Sequence, residues 1–250
     1  MGPGVGSESN SIQLSGFSCV AGPLDPHGFA ALSGVSRETL VRLEAYAGLL
    51  VRWSARINLV GANTLGDLWR RHFLDSTQLL QYVPEGTRSL MDLGSGAGFP
   101  GLVLAISGVP GVELIEADAR KCAFLREAAR IAAAPVVIRN ARIETVPPHI
   151  VDVVTARGCA PLDRLLVLAQ PFIGPDTVCL FPKGEQAAQE LTAAQQAWTM
   201  NATCHDSCTD PRGAILCLKQ VGLKQVGLKQ AGLKQVGLSP VARHERGGRR

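Results

Sequence analysis

The sequence predicts a doubly wound α/β domain with a mostly parallel, seven-stranded sheet and a helical N-terminal extension. Three observations carry this. From Ser89 onward, short apolar runs alternate with helix-period segments, the pattern of βα units. The run Leu90-Met91-Asp92-Leu93 breaks into a glycine loop, Gly94–Gly101, which leads at once into Leu102-Val103-Leu104-Ala105-Ile106. Strand, glycine turn and helix start, in that order, bring backbone amides close to a ligand with a helix N-terminus behind them. Ahead of this loop, residues 36–80 follow a helical period.

Residues 1–34 are rich in Gly, Ser and Pro and read as a mobile leader. Ser36 suits a helix N-cap, with Glu38 in the first turn. Leu40, Leu43, Ala47, Leu50 and Val51 recur at three- and four-residue steps, an amphipathic helix to about Ser54. Arg56–Gly61 interrupts it, a helical pattern resumes over Leu65–Leu80, and Pro84-Glu85-Gly86 closes the lead-in. This divides one folded unit of residues 35–219 into a lead-in, 35–87, and a core, 88–219.

Within the core, strands are expected at Ser89–Gly94, Val112–Ala117, Pro135–Asn140, Ile150–Ala156 and Thr177–Phe181. Helices fall at about Gly98–Ser107, Ala119–Ala134, Pro161–Ala169 and Glu185–Trp198. Ala202–Cys208 and Ala214–Leu218 read as a closing hairpin that adds one antiparallel strand. Leu218–Leu238 then repeats LKQVG. Five residues turn a helix by about 500°, so the leucines share no helical face, and an odd period alternates them across a strand. Residues 220–250 are therefore expected to be a disordered basic tail, and removal of residues 222–250 to spare the fold.

Composition excludes several classes. No apolar run reaches the roughly 18 residues of a membrane span, the N-terminus lacks a signal-peptide pattern, and Gly6 breaks a myristoylation motif. Seven scattered cysteines read as reduced thiols of a cytoplasmic protein. The net charge of +4 belongs to the tail: Leu218–Arg250 holds eight Lys/Arg and one acid. Without it the chain is slightly acidic, and its only lysines are Lys121 and Lys183. Charge alone neither supports nor excludes nucleic acid as a partner.

Gly96-Ala97-Gly98-Phe99-Pro100-Gly101 matches G-x-G-x-x-G, and Glu116 lies 20 residues beyond Gly96. Both suit a dinucleotide. Two acids favour S-adenosylmethionine instead. Asp92 ends the first strand, near where a sulfonium would benefit from a carboxylate, and Glu116 ends the second, placed for ribose hydroxyls. A nicotinamide-dependent oxidoreductase and a purely structural turn remain open on these residues. Ser95 lacks the context of a hydrolase nucleophile. Cys204-His205 with Cys208 lacks a second ligand pair, so no metal is expected. Trp53 and Trp69 suit core positions.

The glycine motif MDLGSGAGFPGLVLAI resembles that of bacterial 16S ribosomal RNA guanine-N7 methyltransferases, the glucose-inhibited division protein B family. So do Arg56-Ile57-Asn58-Leu59-Val60, Trp69-Arg70-Arg71-His72-Phe73-Leu74-Asp75-Ser76, Glu116-Ala117-Asp118 with Arg120-Lys121, and Phe124-Leu125-Arg126-Glu127. The resemblance covers about residues 36–219. It implies a class I S-adenosylmethionine-dependent methyltransferase fold, Rossmann-like, with S-adenosyl-L-methionine as cofactor. It implies methyl transfer to guanine N7 in the decoding-region loop of 16S ribosomal RNA, free or in the small ribosomal subunit. A catalytically silent RNA-binding protein is the further alternative.

Carried over by motif, donor contacts fall at Gly94, Phe99, Ile143, Glu144 and Arg157, joined by Asp92, Gly96 and Glu116. Arg70, Arg71, His72 and Lys183 are the expected RNA contacts, His72 otherwise bonding to Asp75 on a solvated helix face. Gly158-Cys159 departs from the family pattern. Guanine N7 carries a lone pair and no proton, so no catalytic acid or base is assigned; positioning and desolvation are the levers. Oligomeric state is not legible.

Overall fold

The computed structural model describes residues 19–224. In chain order the elements are α1 (Pro26–Ser33), α2 (Arg37–Ser54), a 3-10 segment (Ala62–Asp67), a π segment (Trp69–Leu74), α3 (Asp75–Thr77) and a second 3-10 segment (Gln78–Tyr82). The core follows as β1 (Leu90–Leu93), α4 (Gly101–Ile106), β2 (Val112–Glu116), α5 (Ala119–Ile131), β3 (Val136–Asn140), β4 (Val153–Thr155), α6 (Leu162–Ala169), β5 (Val178–Lys183), α7 (Ala187–Ala197), β6 (Trp198–Asp206) and β7 (Ala214–Leu223). The seven-stranded sheet runs β3-β2-β1-β4-β5-β7-β6. The first five strands in that order are parallel, and β7 is antiparallel to both neighbours.

The period of two in β1 builds a three-layer domain. Leu90 faces one core, with α2, α4 and α5, while Met91 and Leu93 face the other, with α6 and α7. Ser36 caps α2 by accepting from the Thr39 amide, and Asp118 caps α5 by accepting from the Arg120 and Lys121 amides. Arg42, on α2, binds the lead-in to the core. Its guanidinium donates to the Ala132 and Ala133 carbonyls at the end of α5 and to Ile106 O at the end of α4. One side chain thus satisfies orphan carbonyls of two helices and meets the negative ends of their dipoles.

Three expectations change. Pro26–Ser33 is helical, capped by Asp25 and closed by Gly34 in the left-handed region; Phe29 is fully buried against Trp69 and Phe73. The folded unit therefore begins before residue 35, because one buried aromatic anchors a short helix that composition alone read as leader. Second, Leu65–Leu80 is not one α-helix but alternates 3-10, π and α turns. Third, β7 continues through the first copy of the pentapeptide to Leu223, which pairs with Trp198. A bulge makes this possible: Met200 opposes both Gln220 and Val221, and Gln220 has φ +52°. The extra residue returns Val221 to the core face beside Leu218. The remaining leader and tail expectations, residues 1–18 and 225–250, lie outside the described residues. Among the described residues, no helix is long and apolar enough to cross a membrane.

Arg42→Met is expected to lower unfolding free energy by about 1–3 kcal/mol, since it leaves partly buried carbonyls unpaired. Urea denaturation measures this, and an unchanged midpoint would rule out the docking role.

Candidate active site

Every residue carried over to the donor site lies at the carboxyl edge of the parallel strands, where open α/β sheets bind ligands. The Gly94–Gly101 loop links β1 to α4. Its start is held by the Ser95 amide, which donates to Ile115 O at 3.0 Å. Glu116, nearly buried at the end of β2, fixes the middle: one carboxylate oxygen accepts from the Gly96 amide at 2.8 Å and the other from the Asp118 amide at 2.7 Å. Each oxygen retains acceptor capacity for a hydroxyl. The end is fixed by steric contact. A Cβ on Gly101 would lie 2.6 Å from both Asp92 Cβ and Leu114 Cδ2, so only glycine lets α4 approach the sheet this closely.

Gly94 has φ +66°, and a Cβ there would lie 2.9 Å from Cys159 Sγ. Cys159 therefore closes over the first glycine. Ile143 and Glu144 sit in a 3-10 turn after β3, Ile143 half-buried and Glu144 exposed. Asp92 is fully buried; its Oδ1 accepts from Thr155 Oγ1 at 2.8 Å, while Oδ2 has no hydrogen-bond partner among the described residues. Burial raises its carboxyl to about 6 against the opposing effect of that hydrogen bond.

Phe99 is clamped by the lead-in. Tyr46 of α2 stacks on it at 5.5 Å between centroids, His72 at 5.0 Å, and Phe73 meets it edge-on. The Tyr46 hydroxyl donates to Ala97 O, in the loop itself. Burial pushes the Tyr46 phenol well above its ordinary value, so it stays a donor. Arg157 also lies over the Phe99 ring, at 5.0 Å from its centroid.

The structure gives each expected RNA contact a protein partner and contradicts the alternative of a solvated His72 bonded to Asp75. His72 is buried, with Nε2 2.7 Å from Thr64 Oγ1 and Nδ1 2.8 Å from Arg157 Nη2. It neither lies on a solvated face nor bonds to Asp75, because the π turn directs it inward. Burial and the Arg157 and Arg71 cations lower its pKa to about 3. Lys183 Nζ pairs with Glu190 and donates to Ala160 O, both at 2.8 Å; it ties the β4–α6 loop to α7. Arg70 pairs with Asp67 and donates to Thr209 O at 2.6 Å. Arg71 pairs with Asp210 but keeps 38% of its side chain exposed.

Sequence reasoning missed Tyr46, Thr64, Asp75, Cys159 and Thr209. Asp75 joins Arg157 to Thr209 Oγ1, whose hydroxyl donates at 2.7 Å, and so links the lead-in, β4 and the β6–β7 loop. These elements enclose a cavity of about 380 Å³ lined by Arg71, His72, Asp75, Gln78, Arg157 and Lys183, among others. Trp53 and Trp69 are partly buried against the core. Among the described residues, no group of three His, Cys, Asp or Glu is arranged to hold a metal ion.

The family profile of rRNA small subunit methyltransferase G, GidB, matches residues 39–214. Ribosomal RNA small subunit methyltransferase G of Paramagnetospirillum magneticum is 56% identical over 198 residues, covering 79% of this chain and 97% of that protein. The protein of the same name from Rhodospirillum centenum is 56% identical over 193 residues, covering 77% and 89%. Among solved structures, a putative O-methyltransferase from Klebsiella pneumoniae matches with a TM-score of 0.51 at 16% identity, covering 78% of this chain and 96% of that one. That likeness concerns the fold alone.

Asp92 ionises in the native state near pH 6 but near 3.8 when unfolded. Between those values the native state binds the extra proton, so this contribution is full at low pH and is lost as pH rises through about 6. The stability of the wild type relative to Asp92→Asn should therefore fall by about 1 kcal/mol from pH 5 to pH 7. Urea unfolding at both pH values measures the difference; a pH-independent gap would contradict the assignment.

Proposed function

The chain belongs to the rRNA small subunit methyltransferase G family, and from that premise we propose that it methylates guanine N7 in the decoding-region loop of 16S ribosomal RNA. S-adenosylmethionine supplies an electrophilic sulfonium methyl. The observation that carries the donor site is Glu116, which bridges the Gly96 and Asp118 amides at the carboxyl edge of the sheet. Its remaining lone pairs accept from two ribose hydroxyls. Gly94 keeps the loop floor open, Phe99 forms an apolar wall, Ile143 and Glu144 lie after β3 for the adenine edge, and Arg157 faces the amino-acid end. Asp92 acts from beneath the loop, through its hold on Thr155 and its close contact with Gly101.

The polar cavity beside Arg157 is the entrance for the target guanine. Its chemistry fits a base that needs orientation and no deprotonation. The buried His72 is held neutral with both ring nitrogens engaged, so it is no proton shuttle. Arg71, at the rim, is the candidate phosphate contact; exchange of its Asp210 partner for an RNA phosphate keeps the charge paired. The literal G-x-G-x-x-G suited a dinucleotide, and a catalytically silent RNA-binding protein was the further alternative; membership in a methyltransferase family supports neither. RNA within the small subunit is the substrate form to test, because it presents the decoding loop already folded.

Mass mapping of 16S ribosomal RNA, after incubation of unmodified small subunits with labelled donor, should show one added 7-methylguanosine. Absence of label despite donor binding would defeat the reading. Gly94→Asp should weaken binding of S-adenosylhomocysteine by at least about 100-fold, since its side chain meets Cys159 and adds an unpaired charge. Titration calorimetry checks this, and unchanged affinity would remove Gly94 from the site.

A further inference from the structure

The two hydrogen bonds of His72 fix its tautomer. Arg157 has only donors, so its Nη2 contact at 2.8 Å makes His72 Nδ1 the acceptor. The ring proton is then on Nε2, which donates to Thr64 Oγ1 at 2.7 Å, and the Thr64 hydroxyl donates to Gly61 O at 2.6 Å. Each donor has one acceptor along this chain. A protonated imidazole would set N–H against N–H at Arg157 and has no place here, in agreement with the lowered pKa.

Arg157 is held from two further directions. Its Nη1 donates to Asp75 Oδ2 at 2.9 Å and to Arg71 O at 3.1 Å. Among the described residues, these contacts leave the Nε hydrogen and one Nη2 hydrogen uncommitted. Asp75 and Arg71 both act on Nη1, so without His72 the guanidinium can pivot about that nitrogen. His72 supplies the second fixed point, and its ring also stacks on Phe99 beneath the guanidinium.

We propose that His72 is a positioning residue: as a neutral hydrogen-bond acceptor it sets the guanidinium plane of Arg157, so that the two uncommitted donors meet the carboxylate of the methyl donor. The proposal rests on the donor reading above. In this role His72 acts through Arg157 and not by contact with the methyl donor. A carboxylate matches paired N–H donors in one plane, and a phosphate of the RNA is the competing anion of the same chemistry.

Three substitutions separate the roles of the ring in the full-length protein. His72→Asn places an acceptor oxygen near the Nδ1 position, His72→Gln places one near Nε2, and His72→Phe keeps the aromatic stack with no acceptor. S-adenosylhomocysteine carries the carboxylate, and 5′-methylthioadenosine lacks the amino-acid arm. His72→Phe and His72→Gln should weaken S-adenosylhomocysteine at least about tenfold while changing 5′-methylthioadenosine less than about twofold; His72→Asn should restore most of the loss. Nitrogen-15 NMR of the wild type at pH 7 should show a neutral ring protonated on Nε2. Equal losses for both compounds, equal behaviour of the Asn and Gln variants, or a ring that is cationic or protonated on Nδ1 would each overturn the proposal. So would an unchanged S-adenosylhomocysteine affinity with a raised KM for RNA, which would assign Arg157 to phosphate. A wild type that binds neither compound would instead bring down the donor reading, an outcome distinct from all of these.

Discussion

The structure depends on the clamp around Phe99. A glycine loop able to approach a ligand has few side chains of its own with which to hold a shape, since glycine carries the largest backbone entropy to be lost. Here one aromatic residue in the loop is gripped by Tyr46, His72 and Phe73 from the lead-in and covered by Arg157 from the end of β4. Tyr46 adds a hydrogen bond to the loop backbone at Ala97. The helical lead-in is thus a wall of the site, and the core alone would leave the loop without that wall. Arg42 then secures the lead-in to the ends of α4 and α5.

A second constraint is electrostatic. The site concentrates Arg157, Arg71 and Lys183 beside a cavity, yet each has a carboxylate partner: Asp75, Asp210 and Glu190. Paired charges hold geometry where isolated ones would cost solvation. Asp92 is the exception. It is buried with one hydrogen-bonded oxygen, and its carboxyl is raised toward the protonated form. Its closeness to Gly101 sets how near α4 comes to β1, so its side chain contributes to the fold and the site together. The arrangement serves chemistry that needs a base held in place and water kept out, with no proton to remove.

Local sequence patterns located the strands, the cap at Ser36 and the glycine loop, because period, capping chemistry and turn chemistry are read within a few residues. They fell short wherever a distant partner decided the outcome. Pro26–Ser33 forms a helix because Phe29 has Trp69 and Phe73 to rest on. The first pentapeptide enters β7 because a bulge at Gln220–Val221 cancels its odd period against β6. Neither fact is present in the segment itself.

The candidate site divides along the same line. Asp92, Gly94, Gly96, Glu116 and Arg157 were legible as positions, since strand ends in a parallel sheet come to one edge. Their partners were not. Arg70-Arg71-His72 reads as a basic helix face; the π turn and the packing of Phe99 turn His72 inward to Arg157, 85 residues away in sequence. Lys183 reads as a phosphate contact, and in the fold it pairs with Glu190. By itself the sequence determined the order of elements, the sheet edge to which the candidate site residues come and the family, because these follow from local pattern and motif. The tertiary structure alone decided which charges remain available and which are already paired, because pairing depends on distances between segments that no local pattern encodes.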